Sequence, residues 1–155
     1  MGGGCSEGSG TLSSHCDFCN IAAGSRDPAL EVIAEGAHWV AFFPLEPATP
    51  GHTLIIPRLH VPDLWSLELP LARDLMDAVI RIGQAVDTAL RPEGMNLISS
   101  SGAVAEQTVH HVHLHVLPRW RNDGFGRIWP GDSPVSQRQE TDAAKRIRHA
   151  WESRH

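Results

Sequence analysis

Apolar positions recur at two spacings along this chain, and the spacings separate its elements. From Leu69 to Leu90 the residues Leu71, Leu75, Val79, Ile82, Val86 and Leu90 step by three and four, which lays one apolar stripe along an otherwise polar helix. Pro70 suits its first turn, and Pro92 with Gly94 marks its stop. The other runs are shorter and strand-like. Glu31–Ala34 and His38–Phe43 flank Glu35-Gly36-Ala37, a hairpin signal with glycine at the turn. Thr53–Ile56 is an apolar run suited to a central buried strand, which Pro57 ends, and Met95–Ser100 is another strand. Between Phe43 and Gly51 lies a loop whose three prolines pre-set its φ angles. Trp65, just before the long helix, is expected in the core. Residues 137–152 carry Ala143, Ala144, Ile147 and Trp151 on a short C-terminal helix with basic residues late in it.

The fifth strand-like run changes the picture from packing to chemistry. His111, His113 and His115 alternate with Val112, Leu114 and Val116. On a strand, residues i, i+2 and i+4 share a face, so three imidazoles point one way while the apolar residues face a core. Each imidazole has ring nitrogens that must find partners, and three in register are costly to place without work to do.

Composition narrows the rest. A chain of 155 residues, 41% hydrophobic and 20% charged, reads as one soluble globular domain over 15–155, behind a flexible Gly/Ser-rich lead at 1–14 that includes Cys5. The formal net charge of −5 offers no basic footprint for a nucleic-acid polymer, so any phosphate must be held locally. No apolar run approaches the roughly 18 residues of a membrane span, and the start lacks the charged and apolar regions of a signal peptide. Three cysteines do not make a secreted disulfide framework, and a reduced cytoplasm is the expected compartment. Cys16-Asp17-Phe18-Cys19 presents two thiolates at the spacing of half a zinc site, although a redox pair or two buried thiols would share it. His15 is a competing ligand whose adjacency to Cys16 makes simultaneous binding awkward.

His111-Val112-His113-Leu114-His115-Val116-Leu117 resembles, without a mismatch, the motif of the histidine-triad (HIT) nucleotide hydrolases and transferases. Gly51-His52-Thr53-Leu54-Ile55-Ile56-Pro57-Arg58-Leu59-His60 is similar to that family's second signature, and Asp123-Gly124-Phe125-Gly126 with Trp129 looks like the tail of its bacterial hydrolases, which reaches across a dimer. The resemblance covers about residues 16–130. It implies an α+β fold, a five-stranded antiparallel sheet with one long helix and a short N-terminal helix, forming a ten-stranded sheet across a homodimer. It also implies a structural zinc held by Cys16, Cys19, His60 and His111.

The same resemblance assigns roles in the site. His113 is the nucleophile, the backbone carbonyl of His111 sets its tautomer, His115 donates toward the scissile atom, and His52 contacts the phosphate region or steadies the triad. A nucleotidyl-histidine intermediate is then hydrolysed by water. Gln107, Thr108 and Ser100 join His115 and Leu45 in the nucleotide- and phosphate-binding set, for a purine mononucleotide or dinucleotide such as AMP or GMP. A histidine rather than glutamine at His115 argues for hydrolysis over nucleotide transfer. Four positions depart from the pattern. Pro44 and Leu45 replace an Asp-Ile pair that binds ribose, Ser100 stands for Asn, and Glu106 stands where Gly is common. Pro44, Ser100 and Glu106 leave open a non-catalytic nucleotide-binding scaffold, and the Pro118-Arg119-Trp120 step, which resembles that of dinucleoside polyphosphate phosphorylases, leaves open a second alternative, an enzyme of that kind.

Overall fold

A computed structural model describes residues 16–154. The lead at 1–14 and His15 lie outside the described residues. The chain separates into two compact units, one ending at Phe125 and the other beginning at Gly126. The first contains a five-stranded, wholly antiparallel sheet, formed by β1 (Val32–Glu35), β2 (Trp39–Phe42), β3 (Thr53–Pro57), β4 (Gly94–Ile98) and β5 (Leu114–Arg119) in the spatial order β1-β2-β3-β5-β4. Ahead of the sheet stands a short helix, α1 (Asp17–Ala22), and between β3 and β4 runs the long helix α2 (Leu69–Leu90). The second unit holds α3 (Gln137–Glu152), opened by a capping box between Ser136 and Gln139.

The sheet has two differently covered faces, as the period of two along each strand requires. On one face Leu75, Ala78, Val79, Ile82 and Val86 of α2 bury against Ala41, Ile55, Leu114 and Val116. On the other, Val40, Phe42, Leu54 and Ile56 pack with Ala22 of α1, with Phe18, Ile21 and Leu30 closing over them. Every residue of β3 is buried, which explains its uninterrupted apolar run. β5 alternates Leu114 and Val116 toward α2, so His115 belongs to the α1 face.

Two expectations are corrected. The triad does not lie on one strand, because β5 begins only at Leu114. His111 and His113 sit on the approach to it, where Val112 N–H donates to Val61 O (2.7 Å) rather than to a sheet neighbour. Trp65 is not in the core. It is 81% exposed on a 3₁₀ turn over Leu64–Ser66, and Leu64 packs inward in its place, since successive residues of so tight a turn point about a third of a revolution apart. No helix among the described residues is long and apolar enough to cross a membrane.

Gly51 holds φ at +79°, and a β-carbon there would collide with Leu90 Cδ1 at the end of α2. Gly51→Ala should therefore cost about 1–3 kcal/mol through left-handed strain and overpacking. A thermal melt checks it, and an unchanged midpoint would show that α2 ends elsewhere.

Candidate functional site

His111 sits between two clusters and belongs to both. Its ring is fully buried. Nε2–H donates to Pro57 O (3.0 Å), which leaves Nδ1 as a lone pair aimed at two thiols. Cys16 Sγ and Cys19 Sγ each lie 3.5 Å from that Nδ1, and Cys19 Sγ is 3.3 Å from His60 Nδ1. All four ligand atoms fall within 4.8 Å of one another. A tetrahedral ion with Zn–S near 2.3 Å and Zn–N near 2.05 Å has sulfur–nitrogen edges of about 3.6 Å, so the donor set fits such an ion with little adjustment. The Pro57 carbonyl plays the part of the outer-sphere acceptor that orients a ligating imidazole.

Burial tunes the same atoms. It pushes His111 down to about 4, so the ring stays neutral, as a ligand must be. It also pushes the Cys19 thiol up to about 11, helped by the neighbouring Cys16; a cation between the thiols would reverse that by stabilising thiolate.

The second cluster begins at the carbonyl of His111. His113 Nδ1–H donates to it at 2.8 Å, which leaves His113 Nε2 as a lone pair. A separate chain starts from the backbone of the proline-rich loop. Ala48 N–H donates to His52 Nδ1 (3.1 Å), so in the neutral ring the proton is on His52 Nε2, which donates to His115 Nδ1 (2.9 Å). His115 therefore carries its own proton on Nε2. The rings of His113 and His115 are 4.9 Å apart. Two peptide groups thus settle the tautomers of three imidazoles. They leave one nitrogen able to attack and one N–H able to donate. Burial is the main cause holding all three below the usual imidazole range, His115 down to about 4 with further depression from His113 and His52.

These imidazoles line a cleft of about 590 Å³. One wall is α1, where Phe18 and Ile21 form one row of the helix and Asp17 and Asn20 another. The lining also includes Pro44, Leu45 and Glu46. Asp17, Asp27 and Glu46 face the cleft, and none of its lining residues is Lys or Arg.

Most of the expected residues meet here. His52, His113, His115, Leu45 and Thr108 line the cleft, and Cys16, Cys19, His60 and His111 converge as one donor set. Gln107 and Ser100 are not among the lining residues. The buried Gln107 amide is spent on the backbone, accepting from Gly102 N (2.8 Å) and donating to Pro62 O (2.7 Å) and Val109 O (3.1 Å), so it braces the loop that presents Thr108. Glu106 adopts φ +65°, the left-handed conformation that favours glycine, and its side chain is exposed outside the cleft lining. The sequence reading missed Asp17, Asn20, Ser25 and Asp27. The spacing of Asp17 and Asn20 inside the cysteine motif was a usable signal. For Ser25 and Asp27, in the turn after α1, there was none.

A HIT domain model matches residues 28–122. The chain is 36% identical to "Protein hit" of Bacillus subtilis over 116 residues, 74% of this chain and 79% of that one. It is 33% identical to an adenosine 5'-monophosphoramidase of Schizosaccharomyces pombe over 122 residues, 78% of this chain and 86% of the other. Among solved structures it resembles a HIT family protein from Bacillus anthracis, with TM-score 0.78 and 32% identity over 88% of this chain and 97% of that chain. A zinc-bound histidine triad protein from Mycobacterium smegmatis gives TM-score 0.66 and 31% identity over the same shares, 88% and 97%. One of these relatives is thus named as an adenosine monophosphoramidase, and one neighbour is zinc-bound. A domain match over most of the chain, with a relative 36% identical and a solved HIT structure sharing the fold, means that the chain belongs to the HIT domain family.

Proposed function

We propose that this protein hydrolyses a phosphoramidate or phosphoanhydride bond at the α-phosphate of a purine nucleotide, through a nucleotidyl intermediate on His113. The observation that carries the reading is the 2.8 Å bond from His113 Nδ1 to His111 O, which leaves Nε2 unprotonated in a cleft. Nε2 attacks phosphorus and the bond to the leaving atom breaks. His115 Nε2–H, held in its tautomer by His52, supplies the proton that the leaving atom takes. Water then cleaves the phosphorus–histidine bond and releases the nucleoside monophosphate.

Charge favours one leaving group. Three carboxylates and no Lys or Arg line the cleft, and its buried imidazoles are held neutral. A polyphosphate tail would enter against its own sign, whereas an amine leaves the active site as a cation that carboxylates attract. A nucleoside phosphoramidate is therefore the preferred substrate, with inorganic phosphate having no place as the acceptor.

In an assay for AMP released from adenosine phosphoramidate and from a dinucleoside polyphosphate, wild type should favour the former. His113→Ala should lose at least about a thousandfold in kcat, the scale of removing a nucleophile. Because burial holds His113 below the usual imidazole range, its Nε2 stays unprotonated below pH 6.5, and the acid limb of kcat/KM should fall below that value. Full activity in His113→Ala would end the proposal.

Cys16, Cys19, His60 and His111 would hold a zinc ion with no position left open for water, so the ion would supply a cross-link between α1 and the triad segment. Cys19→Ser should lower the bound zinc well below one per chain by atomic absorption; unchanged stoichiometry would sink the four-ligand assignment.

The proposal extends to a homodimer. β4 is an edge strand, with Met95 and Leu97 exposed beside Ile80 of α2. Pairing two such edges would bury them in a ten-stranded sheet. Sedimentation should give the dimer mass for wild type and the monomer mass for Leu97→Asp, and a monomeric wild type would overturn it.

A further inference from the structure

Helix α1 is six residues long, below the length at which a helix persists by itself in water, so whatever holds it decides what it can present. Its two ends are held by different means. At the C-terminal end Arg26 Nε donates to Ile21 O (2.9 Å) and Arg58 Nη1 to Ala22 O (2.5 Å), while both guanidiniums pair with Glu35. These arginines add side-chain donors to the carbonyls of the last turn. At the N-terminal end Cys16 is the cap residue, and its side chain caps nothing. What gathers there instead is the donor set of Cys16, Cys19, His60 and His111.

Between the two cysteines stands Phe18. Its ring meets that of His113 edge-on, with centroids 5.2 Å apart and planes at 80°. The same ring touches His111 (6.0 Å) and Phe42 (5.8 Å) in edge contacts. Among the described residues the His113 imidazole is tied through Nδ1 to His111 O, a pivot rather than a clamp, and the phenyl ring stands edge-on beside it. Asp17, Phe18, Asn20 and Ile21 also wall the cleft.

We infer that Phe18 is a positioning residue, through which the Cys16–Cys19–His60–His111 centre sets both nucleotide affinity and the orientation of His113. The inference rests on the nucleotide reading of the cleft given above. A donor set with no open position does no chemistry on a ligand. It can nonetheless govern the reaction, because the element it anchors is the wall of the cleft. The arginines hold only the far end of α1, so they do not substitute for it.

Three samples test this: zinc-loaded wild type, wild type stripped with a chelator, and zinc-loaded Phe18→Leu. The readouts are zinc content, far-ultraviolet circular dichroism, the Kd for AMP by calorimetry, and kcat and KM on adenosine phosphoramidate. Chelation should weaken AMP binding roughly tenfold, the factor expected when the competent wall is present about a tenth of the time, and re-added zinc should restore it. KM should rise more than kcat falls in that sample. Phe18→Leu should keep one zinc per chain and yet bind AMP about fivefold more weakly, the scale of a lost edge-to-face contact, with kcat also reduced.

An unchanged Kd in the stripped, folded protein would overturn the inference, because the centre would then be a cross-link without reach into the cleft. If stripping unfolds the chain, the Phe18→Leu sample decides alone. Full zinc with wild-type Kd and kcat in that variant overturns the proposal. A loaded wild type that binds no nucleotide would instead remove the function proposed for the cleft.

Discussion

Every polar atom of His111 that bears on the site is committed to a different part of it. The ring is fully buried, so each nitrogen must be satisfied inside the protein. Nε2 takes the Pro57 carbonyl at the end of β3, which turns Nδ1 toward Cys16 and Cys19. The backbone carbonyl takes His113 and decides which of its nitrogens is free. One residue therefore joins the central strand, the short N-terminal helix and the reactive imidazole. Rotating that ring would cost a buried hydrogen bond to Pro57 O and turn Nδ1 away from the two thiols.

The rest of the site follows from keeping imidazoles neutral. Positive charge near a phosphate is usually supplied by Lys or Arg, yet neither is among the described residues that line this cleft. Burial instead suppresses protonation, and two peptide groups, Ala48 N–H and His111 C=O, orient the rings. The result is a cleft of neutral, oriented imidazoles with acidic residues around it, the arrangement on which the proposed transfer at phosphorus rests. The overall negative charge of the chain agrees with this, since nothing in it gathers polyanions from a distance.

Periodicity made the scaffold legible. The three-and-four stepping from Leu69 to Leu90 is α2 to the residue, and the stretch 137–152 is α3. The buried run before Pro57 is the central strand. Such patterns are read correctly because burial of a stripe or a face is the force that forms the element. Trp65 fails by the same logic. It is large and apolar, but a 3₁₀ turn offers the core only one of its residues, and Leu64 takes the place. The strand start fails for another reason: alternation persists through His111 and His113, but pairing depends on which segment lies alongside, and that segment is Val61 rather than a strand.

The sequence by itself determined the elements, the reactive residue types, and the pairing of Cys16 with Cys19, because each is a matter of spacing within a few residues. Only the tertiary structure decided what those residues do to one another. The triad's tautomers depend on Ala48 and Pro57, contributed by the loop before β3 and by the end of that strand. The Gln107 amide bonds Gly102 N and Pro62 O, partners that its place beside the triad in sequence does not name. Asp17 and Asn20 become cleft residues only when α1 is laid across the sheet. Periodicity says which face of an element is buried; the partners that a polar atom meets there are set by chain segments far away in sequence, and no local pattern encodes them.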